Sequence, residues 1–71
     1  MTVYELLDLM WAVDRFRLVS IEDYHTVLYE DEADPGLVAD RYVLDIPVEY
    51  FGIADKDTME FYVHEADFDP F

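Results

Sequence analysis

The excess of acidic residues is the feature that most constrains how this chain can fold. Its 71 residues include 18 Asp and Glu against 4 Lys and Arg, which gives a formal net charge of −14 at pH 7. Disordered acidic tails are poor in apolar residues, whereas 54% of this chain is hydrophobic and 17% is aromatic. The sequence therefore predicts a folded domain with a strongly negative surface, whose self-repulsion opposes the compact state.

Length and residue usage limit the organisation and the compartment. A chain of 71 residues has room for one domain only. It contains no cysteine, which excludes a disulfide framework and a thiolate metal site and favours a reducing compartment. No basic residue precedes Arg15, and no apolar run approaches the roughly 20 residues that span a bilayer. We therefore expect a soluble, cytoplasmic protein.

Local patterns predict one helix followed by strands. Thr2-Val3-Tyr4-Glu5 is a capping box, and the apolar spacing after it predicts a helix over about residues 3–13. Alternation predicts an extended segment ending at Pro47, after a single helical turn. β-branched and aromatic residues predict two hairpins, with strands over 15–21, 26–30, 48–53 and 58–64. The predicted fold class is α+β, with the N-terminal helix packed on a four-stranded antiparallel sheet in an α-β-β-β-β meander.

The first predicted strand is apolar on both sides. Phe16 and Leu18 lie on one side, and Val19 and Ile21 lie on the other. One helix covers only one face of a sheet, so we expect Val19 and Ile21 to form a homodimer interface. A twisted half-barrel that closes on itself is the alternative, because it covers the second face without a partner.

The C-terminal residues are predicted to lie outside the domain. The domain is predicted to take residues 1–64, and residues 65–71 form an acidic-aromatic tail. Either Phe68 or Phe71 packs back on the domain, or the tail is a mobile arm that a partner can bind.

An up-and-down sheet would sort the acidic residues into two poles. Glu22 and Asp23 would share one pole with Asp55 and Asp57. The opposite pole would collect eight carboxylates: Asp14, Glu30, Asp31, Glu32, Asp34, Glu65, Asp67 and Asp69. So many like charges create a negative potential that attracts basic partners.

Three hypotheses explain this acidity. In the first, carboxylates replace the phosphates of a nucleic acid, and the chain inhibits a basic, nucleic-acid-handling protein without being an enzyme. The partner-binding residues would be Glu30, Asp31, Glu32, Asp34, Asp67 and Asp69. Six rim aromatics would serve as anchors: Tyr24, Tyr29, Tyr50, Tyr62, Phe68 and Phe71. In the second, the acids only keep a small homo-oligomeric accessory protein soluble. The third is adaptation to high salt.

Other functions find little support in the sequence. Arg15, Arg17, Arg41 and Lys56 cannot form the basic patch of a nucleic-acid binder. The two histidines lack metal-ligand spacing, and the two glycines do not form a phosphate loop. Ser20 is the only serine and has no evident catalytic partners. We therefore expect no catalytic residues, no metal and no cofactor.

The opening Thr-Val-Tyr-Glu-Leu-Leu, followed at once by short strands and acidic turns, resembles small proteins carried by phages and conjugative elements. Anti-CRISPR and anti-restriction inhibitors that imitate nucleic acid belong to this group. The resemblance covers the whole chain in size, charge and element order, and it carries no motif. It implies that the target is a nuclease or another nucleic-acid-handling protein.

Overall fold

A computed structural model describes residues 1–9 and 13–68. The chain forms helix α1, strands β1 and β2, a 3₁₀ helix, strands β3 and β4, and a short helix α2. Their bounds are α1 Val3–Leu9, β1 Arg15–Ser20, β2 Val27–Glu32, the 3₁₀ helix Arg41–Asp45, β3 Tyr50–Asp55, β4 Thr58–Val63 and α2 Glu65–Phe68. The predicted end of the first helix, Asp69 and Phe71 lie outside the described residues.

Helix α1 begins at the predicted capping box. The Glu5 carboxylate accepts the backbone N–H of Thr2 at 2.9 Å, and the Thr2 hydroxyl accepts the N–H of Glu5 at 3.3 Å. Val3, Leu6 and Leu7 are buried, so the helix turns one apolar side to the sheet. Residue Thr2 also forms an isolated bridge with Pro47, which fixes the start of the helix to the segment before β3.

The sheet is mixed, so the prediction of a purely antiparallel sheet was wrong. Its strand order is β2-β1-β4-β3, and β1 pairs in parallel with β4 while the other two pairs are antiparallel. The segment predicted as extended before Pro47 forms the 3₁₀ helix, with Val43 and Leu44 both buried. This connection crosses the core face and contacts α1. The second hairpin therefore lies beside β1 instead of continuing from β2.

One face of the sheet, the inner face, holds the hydrophobic core. Phe16 and Leu18 of β1 lie beside Met59 and Phe61 of β4, and all four side chains are at most 3% exposed. The Phe16 and Phe61 rings stack with centroids 5.8 Å apart. Phe68 of α2 packs against this core, with its ring 6.2 Å from that of Tyr29. At least this residue of the predicted tail therefore packs back on the domain.

The opposite face, the outer face, is polar except at one end. Val19 lies there between Val27 and Tyr62 in the strand register and is only 1% exposed within the single chain. Ile21 is half-buried and donates its N–H to the Val63 carbonyl at 2.9 Å. The reason for expecting a second copy over this face therefore does not hold at Val19, and the homodimer stays a prediction.

Candidate protein-binding surface

The charged residues divide between the two ends of the sheet. The mixed-charge end lies where β1 and β4 begin, and the acidic end lies where they finish. Exposed residues of the mixed-charge end are Asp14, Arg15, Glu32, Asp34, Asp55, Lys56 and Asp57. Exposed carboxylates of the acidic end are Glu22, Asp23, Glu49, Glu65 and Asp67, and the half-exposed His64 lies among them.

Backbone hydrogen bonds join three chain segments at the mixed-charge end. The Asp57 carbonyl accepts the N–H groups of Asp14 at 2.9 Å and Arg15 at 3.0 Å, and Asp14 accepts the N–H of Ala33 at 2.9 Å. Arg41 reaches the same region, because its guanidinium donates to the Pro35 carbonyl. Three of the four Lys and Arg of the chain therefore lie at this end: Arg15, Arg41 and Lys56. The fourth, Arg17, lies two residues after Arg15 in β1.

The predicted sorting of acidic residues into poles was wrong. Asp55 and Asp57 lie with Asp14, whereas Glu65 lies with Glu22 at the other end. The physical reason is the parallel pairing of β1 with β4, because it puts the β3–β4 turn beside the start of β1. An antiparallel pairing of β1 with β4 would have placed Asp55 and Asp57 at the end that holds Glu22, and Glu65 at the end that holds Asp14.

Two of the six predicted partner-binding residues are engaged within the chain. The Glu30 carboxylate accepts hydrogen bonds from Arg17 at 2.8 Å and Arg15 at 3.5 Å, and the bond from Arg17 lowers the pKa of Glu30. The Asp31 carboxylate accepts the Tyr29 hydroxyl at 2.6 Å and the Ala39 N–H at 3.0 Å. The bond from Tyr29 is the main cause of the lowered pKa of Asp31. Glu30 is therefore partly neutralised by two arginines, whereas Asp31 keeps its charge and is held in place by neutral donors.

The other predicted residues are divided between the two ends. Glu32 and Asp34 are exposed at the mixed-charge end, where Asp34 accepts the Gly36 N–H at 2.9 Å. Asp67 is exposed in α2, which begins directly after β4, and so lies at the acidic end. Six strand residues separate the ends by about 17 Å, from a rise of roughly 3.3 Å per residue.

His64 joins three segments at the acidic end. Its Nδ1 lies 3.1 Å from the Glu22 carboxylate and its Nε2 lies 3.1 Å from the Glu49 carboxylate. Hydrogen bonding to Glu22 is the main cause of the raised pKa of His64. The Glu22 carboxylate also accepts the Glu65 N–H at 3.0 Å, and this bond is the main cause of its lowered pKa.

A buried serine supports the same group of side chains. Ser20 is fully buried, and its hydroxyl donates to the Glu65 carboxylate at 2.6 Å. Its oxygen accepts the Glu22 N–H at 3.2 Å. The hydroxyl is thus occupied by a carboxylate, and the ring of His64 contacts other groups. Ser20 therefore holds two glutamates in place and is not arranged as a nucleophile.

The β1–β2 loop fixes a further carboxylate at this end. Asp23 accepts the N–H groups of His25 at 3.0 Å and Thr26 at 2.9 Å, and it also accepts the Thr26 hydroxyl. These bonds lower the pKa of Asp23 to about 2, with the hydroxyl of Thr26 as the largest contribution. Asp23 is therefore ionised at neutral pH and held in one orientation.

Three tyrosines lie on the outer face next to the acidic end. The Tyr50 and Tyr62 rings stack with centroids 4.7 Å apart, and Tyr24 lies 5.6 Å from Tyr62 and 5.9 Å from Tyr50. Tyr24 and Tyr50 are about half exposed, at 53% and 45%. Because the Tyr62 carbonyl accepts the Glu49 N–H at 2.9 Å, the rings and the acidic end form one continuous surface.

The grouping around His64 was missed by sequence analysis. The sequence was searched for metal-ligand spacing around the histidines, whereas the partners of His64, Glu22 and Glu49, are 42 and 15 residues away in the chain. No local motif links these positions. Only the parallel pairing of β1 with β4 puts residue 22 beside residue 64.

Known proteins add no further guide to the site. Comparisons with protein-family models, curated proteins and solved structures gave no match. In residues 1–9 and 13–68, no three His, Asp or Glu side chains are placed to hold a metal ion. Within the same ranges, no helix has the length and apolar character needed to cross a membrane.

Proposed function

We propose that this protein is a non-enzymatic acidic inhibitor that binds a basic, nucleic-acid-handling protein by imitating nucleic acid. The observation that carries the proposal is the arrangement of charge at the acidic end. Five exposed carboxylates lie together there, while all four Lys and Arg of the chain lie elsewhere. Like charges that no Lys or Arg compensates create a potential that speeds association with a basic groove.

Preorganisation strengthens this surface. Ser20 and the Glu65 N–H hold Glu22, and the β1–β2 loop holds Asp23. A basic partner therefore meets carboxylates whose orientation is already fixed, and less conformational entropy is lost on binding.

The neighbouring tyrosines give the surface a second property of nucleic acid. Single-stranded nucleic acid combines charged groups along a backbone with flat rings that stack. Tyr50 and Tyr62 provide stacked rings directly beside the carboxylates, and the ring of Tyr24 lies tilted against both. Tyr50 is neutral at physiological pH, as an ordinary tyrosine with a pKa of 10.0 is, and its hydrogen bond with Tyr24 raises its pKa further, to about 12. The rings are therefore proposed as anchors, with the acids providing attraction and orientation.

The proposed binding surface differs from the set of partner-binding residues predicted from sequence. Asp67 stays in the binding surface, and Glu22, Glu49 and Glu65 join it. Glu32 and Asp34 take a secondary role because Arg15 pairs with Glu32 in the strand register and Arg41 reaches Pro35, next to Asp34. Within this proposal the protein acts in the cytoplasm, the partner is a nuclease effector or a similar protein, and the resemblance to anti-CRISPR and anti-restriction proteins of mobile elements describes its role.

Capture on the immobilised protein tests this function. Lysate from the cell that makes the protein is applied at low salt and eluted with rising salt, with and without added DNA or RNA. A nucleic-acid-handling protein that elutes as salt rises, and that added nucleic acid displaces, is the expected result. Partners that bind equally at high salt and ignore nucleic acid would contradict mimicry.

A second candidate is a small homo-oligomeric accessory protein whose acids only confer solubility. The exposed apolar side chains of β3 favour it, since Phe51 is 47% and Ile53 is 71% exposed. Because Val19 is buried within the chain, Phe51→Thr with Ile53→Thr is the suitable test of self-association. Sedimentation of a stable dimer that this variant converts to monomer would support the accessory protein.

A further inference from the structure

Strand β3 is an open edge, in contrast to the other edge strand, β2. The β2 edge carries three consecutive acids, Glu30 to Glu32, and the loop after it lies against the strand. This contact is made by the Ala39 N–H to Asp31 at 3.0 Å and the Asp40 N–H to the Tyr29 hydroxyl at 3.3 Å. Charges and covering loops are the usual protection of a sheet edge.

The β3 edge lacks both kinds of protection. Residues 50–54 carry no charge, and within the described part of the chain β3 has β4 as its strand neighbour and no strand on its other side. Such an edge presents unpaired backbone N–H and C=O groups that an extended segment can pair with. Phe51 and Ile53 share the inner face at this edge and remain largely exposed, so the core continues outward without cover.

The charges around β3 indicate what binds there. Glu49 and Asp55 are exposed at its two ends, and Glu60 lies beside Gly52 on the outer face. No atom lies within 4 Å of the position that a Cβ atom on Gly52 would take. A side chain of a neighbouring strand can therefore extend over Gly52 toward Glu60. An incoming strand would therefore meet the side chains of Phe51 and Ile53 on one face. On the other face it would meet Glu60, whose carboxylate also pairs with Arg17 at 3.3 Å.

A second copy of this chain fits the edge poorly. An antiparallel pair of β3 strands centred on Gly52 would set Glu49 of each copy opposite Asp55 of the other. Like charges directly opposite each other are destabilising in a sheet, and each copy also carries a net charge of −14. Charge complementarity selects a basic segment instead.

We propose that β3 binds an extended segment of the basic partner as a fifth strand of the sheet. The segment alternates apolar residues, which cover Phe51 and Ile53, with Lys or Arg, which reach Glu49, Asp55 and Glu60. This inference rests on the proposed function, because it describes how the same partner is held. The acidic end attracts the partner, and the adjoining edge gives it a register.

A synthetic nine-residue peptide that alternates Lys and Val is the first probe. The control peptide has the same charge, with proline at its central position to prevent strand pairing. The measurements are affinity by titration and hydrogen exchange of the β3 amides. We expect the alternating peptide to bind at least about tenfold more tightly, which is about 1.4 kcal/mol, and to slow exchange in β3. Equal affinities with unchanged exchange would overturn the edge inference.

Matched variants of the protein give the second measurement. Phe51→Thr with Ile53→Thr changes two exposed side chains of β3, and Val27→Thr with Leu37→Thr changes two exposed ones on and after β2. The first pair should weaken the alternating peptide about tenfold, and the second should leave it within about twofold. Equal losses in both pairs would contradict a site at β3.

Failure of this inference can be separated from failure of the proposed function. If both peptides bind equally and only neutralising Glu22, Glu65 and Asp67 weakens them, the edge inference fails and electrostatic attraction by the acidic end remains. If β3 binds the alternating peptide while the acidic end has no effect on it, the edge stands and the proposed role of the acidic end fails. Self-association lost on Ile53→Lys would identify a second copy as the occupant and overturn the basic segment.

Discussion

The two ends of the sheet carry the same number of exposed carboxylates and differ in what surrounds them. Each end has five: Asp14, Glu32, Asp34, Asp55 and Asp57 at the mixed-charge end, and Glu22, Asp23, Glu49, Glu65 and Asp67 at the acidic end. Arg15, Arg41 and Lys56 lie near the first group, whereas the second has the histidines His25 and His64 and no Lys or Arg. The position of four cations, more than the number of acids, therefore decides where the surface can attract a basic partner.

The first prediction concerns Ser20, the buried residue that supports the acidic end. Ser20→Ala leaves the Glu22 N–H without its acceptor and Glu65 without its donor. We expect a loss of about 1–3 kcal/mol in the free energy of unfolding, measured by denaturant titration. Thr58→Val is the control near the mixed-charge end, because Thr58 is also buried, at 7% exposed, and is nearly isosteric with valine. A control loss as large as that of Ser20→Ala would contradict a special role for Ser20.

A second prediction concerns the ion pairs of the outer face. Arg17 lies between Glu30 at 2.8 Å and Glu60 at 3.3 Å, and all three side chains are partly exposed. Arg17→Met should lower the free energy of unfolding only slightly, because water screens such pairs. Arg15→Met, which removes a single contact at 3.5 Å, should cost less. The reverse order would show that Arg17 does not organise this face.

Arg17→Met also changes the difference in charge between the two ends. Without Arg17, the part of the surface that carries no Lys or Arg extends further along β1, toward the mixed-charge end. Association with a basic partner at low salt should therefore become faster, although the domain becomes less stable. Slower association by a variant that remains folded would contradict the electrostatic account.

The third prediction concerns pH and has the smallest expected effect. His64 has a raised pKa, chiefly through its hydrogen bond with Glu22 and also through Glu49, so it holds its proton more tightly in the folded state. This stabilisation is complete below the ordinary histidine pKa of 6.5 and is lost as pH rises through the higher folded value. Denaturant midpoints should therefore fall across this window in the native chain.

His64→Gln is the control for the pH dependence. Gln keeps a hydrogen-bonding side chain and does not titrate, so the fall in midpoint above pH 6.5 should become smaller. The opposite shift of Glu22, whose pKa is lowered, acts in a different window, because its stabilisation is lost as pH falls. An unchanged slope in the His64 variant would contradict the raised pKa.

Local features of the fold could be predicted from sequence, and long-range pairing could not. The capping box at Thr2 and Glu5 and the buried alternation of Phe16 and Leu18 depend on neighbouring residues, and both are confirmed. Parallel pairing of β1 with β4 depends on a connection of nearly forty residues and has no local signature.

The 3₁₀ helix shows how an alternating pattern misleads. Tyr42, Leu44 and Ile46 alternate as in a strand, yet Val43 and Leu44 are adjacent and both buried. A half-exposed strand would bury only one of two neighbours, whereas a tight helix between the sheet and α1 buries both. This one difference moves the second hairpin and, with it, every acidic residue from Glu49 onward.

The most direct test of the account compares the two ends at equal change in charge. One variant neutralises the acidic end, with Glu22→Gln, Glu49→Gln, Glu65→Gln and Asp67→Asn. The other neutralises the mixed-charge end, with Glu32→Gln, Asp34→Asn, Asp55→Asn and Asp57→Asn. Both remove four negative charges, and circular dichroism confirms that each is folded before binding is measured.

The measurement is the association rate with the captured partner at about 50 mM and about 200 mM salt. The account predicts that the acidic-end variant loses at least about tenfold in rate at low salt and most of its salt dependence. The mixed-charge-end variant should stay within about threefold of the native chain. Equal losses in the two variants would show that only total charge matters and would contradict a binding surface at the acidic end.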